Sequence, residues 1–87
     1  MENNRRELGL EELEEVTGGM LKAYFRYQKE SNLVQYDANF KEIGNWVIDP
    51  DHLGEVSEAL KSTYWTFEEG KRDEQCLQYF INNGWIH

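Results

Sequence analysis

The sequence predicts an all-α protein, in which a flexible amphipathic N-terminal helix precedes a small, partly disordered bundle of short helices. First, large apolar residues recur every three or four positions from Leu53 to Phe67, which is the period of a helix with one buried face. Second, proline and aspartate at residues 49–51 precede this stretch, as is typical where a helix begins. Third, glycine follows apolar stretches, as it does at helix ends. These glycines are Gly19, Gly70 and Gly84.

Composition limits the classes of protein to which the chain can belong. Its 87 residues suffice for one small domain, and 9 basic against 17 acidic residues give a net charge of −8. This acidity argues against nucleic-acid binding and against strong binding to anionic membranes, because both need clustered Lys and Arg. Cys76 is the one cysteine, so the sequence predicts no internal disulfide and no cysteine-based zinc site.

The composition changes abruptly after Gly19. Residues 1–19 hold two arginines and six glutamates, a net charge of −4, and residues 20–87 carry the other −4 on a much longer segment. All twelve aromatic residues lie from Tyr24 onward. The sequence therefore predicts two units, a detachable segment 1–19 and a domain 20–87.

The N-terminal unit has the pattern of a short helix. Leu10, Leu13 and Val16 recur at near-helical spacing among glutamates, which favour helices. The glycines at 18 and 19 end the pattern. So short and acidic a helix is marginal in isolation, so we expect it to become ordered only on a partner.

The same segment resembles a double-glycine leader peptide, as found on class II bacteriocins and peptide pheromones. Members of this family carry apolar residues, a Glu-Leu pair and a terminal Gly-Gly at fixed distances before the cleavage point. The matching positions here are Leu8, Glu12, Leu13, Val16, Gly18 and Gly19.

The resemblance implies a partner and a reaction. In the family, an ABC transporter with an N-terminal cysteine-protease domain recognises the leader, cuts after the second glycine and exports the remainder. The scissile bond would be Gly19–Met20, and Leu8, Glu12, Leu13 and Val16 would contact the protease. The chain would then be made in the bacterial cytoplasm, and residues 20–87 would be secreted as a bacteriocin-like or signalling peptide.

An alternative interpretation keeps the chain intact. A small cytosolic helical interaction protein, of the immunity or adaptor type, could use Gly18 and Gly19 simply as the C-cap of its first helix. Such a protein would hold the N-terminal helix packed on the domain, whereas a leader would be mobile and easily nicked.

Four helical patterns are visible in residues 20–87. Their apolar positions are Leu21, Tyr24 and Phe25; Tyr36, Phe40, Ile43 and Val47; Leu53, Val56, Leu60, Tyr64 and Phe67; and Cys76, Leu77, Phe80 and Ile81. The last helix is expected over about 72–82, with Asn83-Gly84 as its C-cap and Trp85-Ile86 folding back on the helix end. Residues 46–48 and 62–67 are also rich in β-formers, so two strands are the competing interpretation.

Catalytic or metal-binding patterns are weak. Residues 49–57 partly resemble a calcium-binding EF-hand loop, but Leu53 and Leu60 stand where ligands are needed, which favours a capped helix start. His52 and His87 are isolated, and Cys76 occupies an apolar helical position typical of a core thiol. We therefore expect no enzyme, no catalytic residues, no metal and no cofactor.

Overall fold

A computed structural model describes residues 13–87 of the chain. They form a four-stranded antiparallel sheet followed by two α-helices, so the protein has a mixed α/β fold. The all-α prediction is therefore wrong.

The strands follow one another across the sheet in chain order, so the sheet is an antiparallel meander. They are β1 (Leu13–Gly18), β2 (Leu21–Arg26), β3 (Ser31–Tyr36) and β4 (Glu42–Ile48). Each strand pairs with the next through a short turn, which antiparallel pairing permits. Among these strands β1 occupies one edge of the sheet.

The helical part begins with a first 3₁₀ turn (Pro50–His52) and α1 (Leu53–Lys61), and continues with a second 3₁₀ turn (Thr63–Thr66) and α2 (Arg72–Asn82). The bounds predicted for α2 are confirmed. The long helix predicted from Leu53 to Phe67 is divided, because Ser62 leaves the helical conformation with φ −130° and ψ −60°.

The helix predicted before Gly19 is wrong wherever the structure describes it, because residues 13–18 form β1. Val16 pairs with Ala23 of β2 and is buried in the core. A short segment has little helical stability of its own, so pairing with β2 and burial of Val16 outweigh its helix propensity. Leu10 lies outside the described residues.

The helix predicted from Leu21, Tyr24 and Phe25 is β2 instead. Leu21 and Ala23 are fully buried, whereas the residues that follow each of them, Lys22 and Tyr24, are only half-buried. Burial therefore alternates from one residue to the next, as in a strand. The three residues that suggested a helix also fit a strand, since tyrosine and phenylalanine favour strands.

The helix predicted from Tyr36 to Val47 is also wrong, because a turn interrupts this segment. The Asp37 carboxylate accepts hydrogen bonds from the backbone N–H groups of Asn39 (2.8 Å) and Lys41 (2.9 Å). Such local bonds compete with a helix and favour a turn. The alternative strand at 46–48 is correct, and the one at 62–67 is not.

The core lies between the helices and one face of the sheet. Val16, Ala23, Leu33 and Trp46 are cross-strand neighbours and form a row on this inner face. The fully buried large side chains come from both layers: Leu21, Leu33, Ile48, Val56, Leu60, Cys76 and Phe80.

The C-terminus folds back after α2, and Trp85 packs against the end of the helix, as predicted. Gly84 has a φ of 73°, and the N–H groups of Gly84 and Trp85 donate to the carbonyls of Ile81 and Phe80, both at 3.0 Å. This is the Schellman arrangement that ends many helices. It directs Ile86 into an antiparallel bridge with Ile48.

Two glycines with open space around them should respond oppositely to alanine. Gly84→Ala should destabilise the protein by about 1 kcal/mol, because φ of 73° is unfavourable for alanine. Gly54→Ala should stabilise it by about 0.5 kcal/mol, because Gly54 lies within α1. Urea unfolding of both variants measures the difference, and shifts of the same sign would contradict the assigned helix end.

Candidate functional site at the glycine turn

The two glycines of the leader motif lie at the hairpin between β1 and β2. Gly18 ends β1 and pairs with Leu21, so Gly19 and Met20 form the two-residue connection. Gly19 has a φ of 59°, and Met20 does not have a positive φ. This combination is typical of a type II′ turn, which favours glycine at its first central position. The predicted scissile bond is therefore the central peptide bond of a tight turn.

The side chain of Tyr64 lies directly against this turn. Tyr64 belongs to the second 3₁₀ turn and is only 4% exposed. A Cβ atom on Gly19 would collide with the Tyr64 hydroxyl and with the ring carbon that carries it. Gly19 is therefore required both for its φ and for the space that it leaves.

The Tyr64 hydroxyl connects the turn to α2. It donates a 2.6 Å hydrogen bond to Oδ1 of Asp73 in the first turn of α2, and accepts one from the backbone N–H of Met20. Burial raises the pKa of Tyr64, and the Asp73 carboxylate raises it further, although Met20 N–H and Arg72 act in the opposite direction. The phenol therefore stays protonated and remains a donor at neutral pH.

Both backbone polar groups of Met20 are held. The Met20 carbonyl accepts a 2.8 Å hydrogen bond from the N–H of Tyr36 in β3. The Met20 N–H donates to the Tyr64 hydroxyl. The peptide on either side of Met20 is thus fixed to two different parts of the fold.

Arg72 covers the aromatic side of the site. Its guanidinium carbon lies 5.9 Å from the ring centre of Tyr64 and 5.3 Å from that of Trp65, within the range of cation–π attraction. The adjoining cleft measures about 410 Å³ and is lined by Gln35, Tyr64 and residues 70–74.

A second cleft, of about 320 Å³, lies on the other side of the turn. It is lined by Thr17, Gly19, Met20, Lys22, Tyr36 and Phe40. Phe40 is 76% exposed and has a φ of 62°, which is rare for an aromatic residue. The loop after β3 thus presents an apolar ring to solvent beside the turn.

Polar and aromatic groups cluster on the outer face of the sheet near the same turn. The hydroxyls of Tyr24 and Tyr36 are 2.6 Å apart, and Nζ of Lys22 lies 5.8 and 5.9 Å from the two ring centres. Lys22 also lies 3.7 Å from a carboxylate oxygen of Glu15 in β1. Burial, followed by the hydrogen bond to Tyr36, raises the pKa of Tyr24 to about 12.

The predicted leader-recognition residues are only partly described. Leu8 and Glu12 lie outside the described residues. Leu13 pairs with Arg26 at the start of β1, and Val16 pairs with Ala23 and is 8% exposed. In the folded chain Val16 therefore contacts the core, where a protease could not bind it.

Sequence reasoning missed the roles of Tyr64 and Asp73. The spacing of apolar residues places Tyr64 on an apolar helical face, which explains its burial and leaves its hydroxyl unexplained. A buried tyrosine hydroxyl needs a hydrogen-bond partner, so the predicted burial of Tyr64 already indicates that its hydroxyl bonds to another part of the fold. Asp73 carries no motif that would single it out in the sequence.

The remaining candidates have structural roles. The Asp49 side chain accepts the N–H of Asp51 at 2.9 Å and caps the first 3₁₀ turn. Cys76 is fully buried, and burial raises the pKa of its thiol to about 12. The His52 ring stacks on Trp85 at 5.9 Å. Residues 13–87 contain no cluster of three or more His, Cys, Asp or Glu side chains suited to a metal ion.

No protein-family model, curated protein or solved structure matches the chain. Within residues 13–87, neither helix has the length and apolar character needed to cross a bilayer.

Alanine at Gly19 should be much more costly than alanine at a glycine with similar backbone strain. Gly70 has a φ of 93° with open space around it, so Gly70→Ala should cost about 1–2 kcal/mol. Gly19→Ala should cost about 3–4 kcal/mol, because it also displaces the Tyr64 hydroxyl from its hydrogen bonds. Equal losses in urea unfolding would show that Tyr64 does not constrain the turn.

Tyr24 on the outer face of the sheet should make the protein sensitive to alkali. The pKa of Tyr24 is raised from 10.0 to about 12, so its contribution to stability is complete below pH 10 and is lost as the pH rises toward 12. Tyr24→Phe should reduce the dependence of the unfolding free energy on pH in that window. Tyr27→Phe, at a residue 66% exposed, is the control and should leave the pH dependence unchanged.

Proposed function

We propose that the chain is the precursor of an exported polypeptide, cut between Gly19 and Met20 by the cysteine-protease domain of an ABC transporter. The observation that carries this proposal is the leader pattern, which ends where the composition changes. Its positions are Leu8, Glu12, Leu13, Val16, Gly18 and Gly19. Synthesis in the bacterial cytoplasm, removal of residues 1–19 and secretion of residues 20–87 belong to the same proposal.

The geometry supports the separation of β1 from the rest of the fold. β1 is an edge strand, and its only strand partner in the described sheet is β2. Removing residues 1–19 would leave β2, β3, β4 and both helices connected in one chain.

The folded turn is a poor protease substrate. A peptide bond enters a protease active site in an extended conformation, and the turn at Met20 is held by Tyr64 and Tyr36. Val16 must also leave the core before a protease can bind it. We therefore expect the transporter to act on chains in which β1 has not paired or has detached by local unfolding.

The released polypeptide has a composition unlike that of cationic membrane-active peptides. Residues 20–87 carry 7 basic and 11 acidic residues, a net charge of −4, so attraction to anionic lipids is not expected. A signalling or bacteriocin-like peptide that acts on a protein target fits this charge better than one that acts by membrane binding.

Cleavage of the full-length chain by such a protease domain should produce fragments of residues 1–19 and 20–87, identified by mass spectrometry. Gly18→Ala combined with Gly19→Ala should slow cleavage by about 100-fold or more, because the added side chains misplace the scissile bond. Gly70→Ala is the control and should be cut at the normal rate once unfolded. An intact Gly19–Met20 bond, or equal rates for all these chains in urea, would overturn the proposal.

Loosening the turn should accelerate cleavage of the folded chain. Tyr64→Phe removes the acceptor for Met20 N–H without altering residues 1–19. If opening of the turn becomes easier by about 1 kcal/mol, the open form is about fivefold more populated and cleavage is about fivefold faster. In urea the variant and the parent should be cut at equal rates. Equal rates in the folded state would show that opening of the turn does not limit processing.

An intact cytosolic interaction protein is the second candidate, and the burial of Val16 in the core is the observation that favours it. Its proposed helix cap is wrong, because Gly18 ends a strand and Gly19 begins a hairpin turn. Exposed Phe40 and Ile43 would then be the natural contact residues. Recovery of only full-length protein from cells with an active transporter would favour this candidate.

A further inference from the structure

Hydrolysis of the bond between Gly19 and Met20 would create a charge next to Tyr64. Water adds across the bond between the Gly19 carbonyl carbon and the Met20 nitrogen, giving a carboxylate on Gly19 and an amine on Met20. The amine takes up a proton and is an ammonium group at neutral pH, since ordinary α-amino pKa values lie near about 7.8. The nitrogen that becomes charged is the one whose N–H already faces the Tyr64 hydroxyl.

We propose that Tyr64 and Asp73 form a binding site for the α-ammonium group of Met20 that cleavage after Gly19 creates. The inference rests on the proposed function and adds to it a specific role for the fold. Tyr64 already accepts from the Met20 nitrogen and donates to Asp73 Oδ1 at 2.6 Å. The ammonium keeps the first bond, and the Asp73 carboxylate supplies the opposite charge.

The surroundings fit this assignment. Tyr64 is 4% exposed and Asp73 is half-buried at the edge of the cleft, so the attraction between ammonium and carboxylate is only partly screened by water. Tyr36 N–H holds the Met20 carbonyl at 2.8 Å, which keeps the new terminus at the site after the bond on its other side is broken.

Other charged groups near the site determine the size of the effect. Arg72 lies over the Tyr64 ring and opposes an added positive charge, as does Lys71 in the same cleft. Glu74 lines this cleft as well, Lys22 lines the cleft on the other side of the turn, and the new Gly19 carboxylate is adjacent. Asp73 is the acid bonded to Tyr64, so its contribution should dominate.

The sign of the pH dependence follows from this pairing. Asp73 favours the charged amine, so the pKa of the Met20 amine should be higher in the folded state than in the unfolded state. The stabilisation is complete below the unfolded value of about 7.8 and is lost as the pH rises through the folded value.

The test measures the pKa of the Met20 amine by NMR titration of the nicked protein. The sample holds all 87 residues as two chains, residues 1–19 and residues 20–87. Residues 1–19 are a separate peptide. Residues 20–87 are produced as a fusion to a carrier protein, and a protease specific for that carrier cuts after its terminal Gly-Gly and leaves Met20 as the N-terminus. This route does not use the transporter protease. Failure of cleavage by the transporter would therefore reject the proposed function without affecting this measurement.

The expected pKa of the amine is about 9, a tenfold increase in proton affinity. Asp73→Asn should return it to about 8, and Tyr64→Phe should lower it as well. Glu74→Gln, which makes the same charge change one residue away, should alter it little. Equal pKa values in the parent, Asp73→Asn and Glu74→Gln proteins would overturn the inference. So would a nicked protein that does not fold, because its amine would have no site.

Discussion

The hydrogen bond between the Tyr64 hydroxyl and Asp73 is the interaction on which the site depends. A buried phenol must have a partner, and this one has two, the carboxylate on α2 and the N–H of Met20. The hydroxyl therefore fixes the distance between the first hairpin and the last helix. Gly19 is the residue that allows this approach, because a side chain there would occupy the position of the hydroxyl.

The last helix and its C-terminal end could be predicted because their signals are local. The bounds of α2 and the Schellman end at Gly84 follow from an apolar face, a glycine and the residues next to it. The sheet could not be predicted in this way. Leu21, Tyr24 and Phe25 have helical spacing over a short stretch, but in β2 Tyr24 lies on the opposite face from Leu21 and Phe25, and the pairing of β2 with β1 and β3 decides the outcome.

The candidate site shows the same division between local and distant information. Gly18 and Gly19 can be singled out from the sequence because their spacing from the other positions of the leader-like pattern is visible there. Tyr64 and Asp73 are remote from them along the chain, and only the folded arrangement brings the hydroxyl to the turn. The local pattern explained why Tyr64 is buried, but a pattern of apolar positions contains no information about where a hydroxyl finds its partner.

Folding and the proposed processing would make competing demands on β1. In the sheet, Val16 lies in the core and the Gly19–Met20 bond lies in a fixed turn, whereas a protease needs both free. Each interaction that stabilises β1 in the sheet raises the free energy needed to detach β1 by the same amount, and so lowers the fraction of chains that a protease can bind. Half of the net charge of −8 also lies on residues 1–19, which opposes their close packing on an acidic domain. A double-glycine sequence can meet both demands, since glycine permits the turn when β1 is paired and fits a narrow active site when it is not.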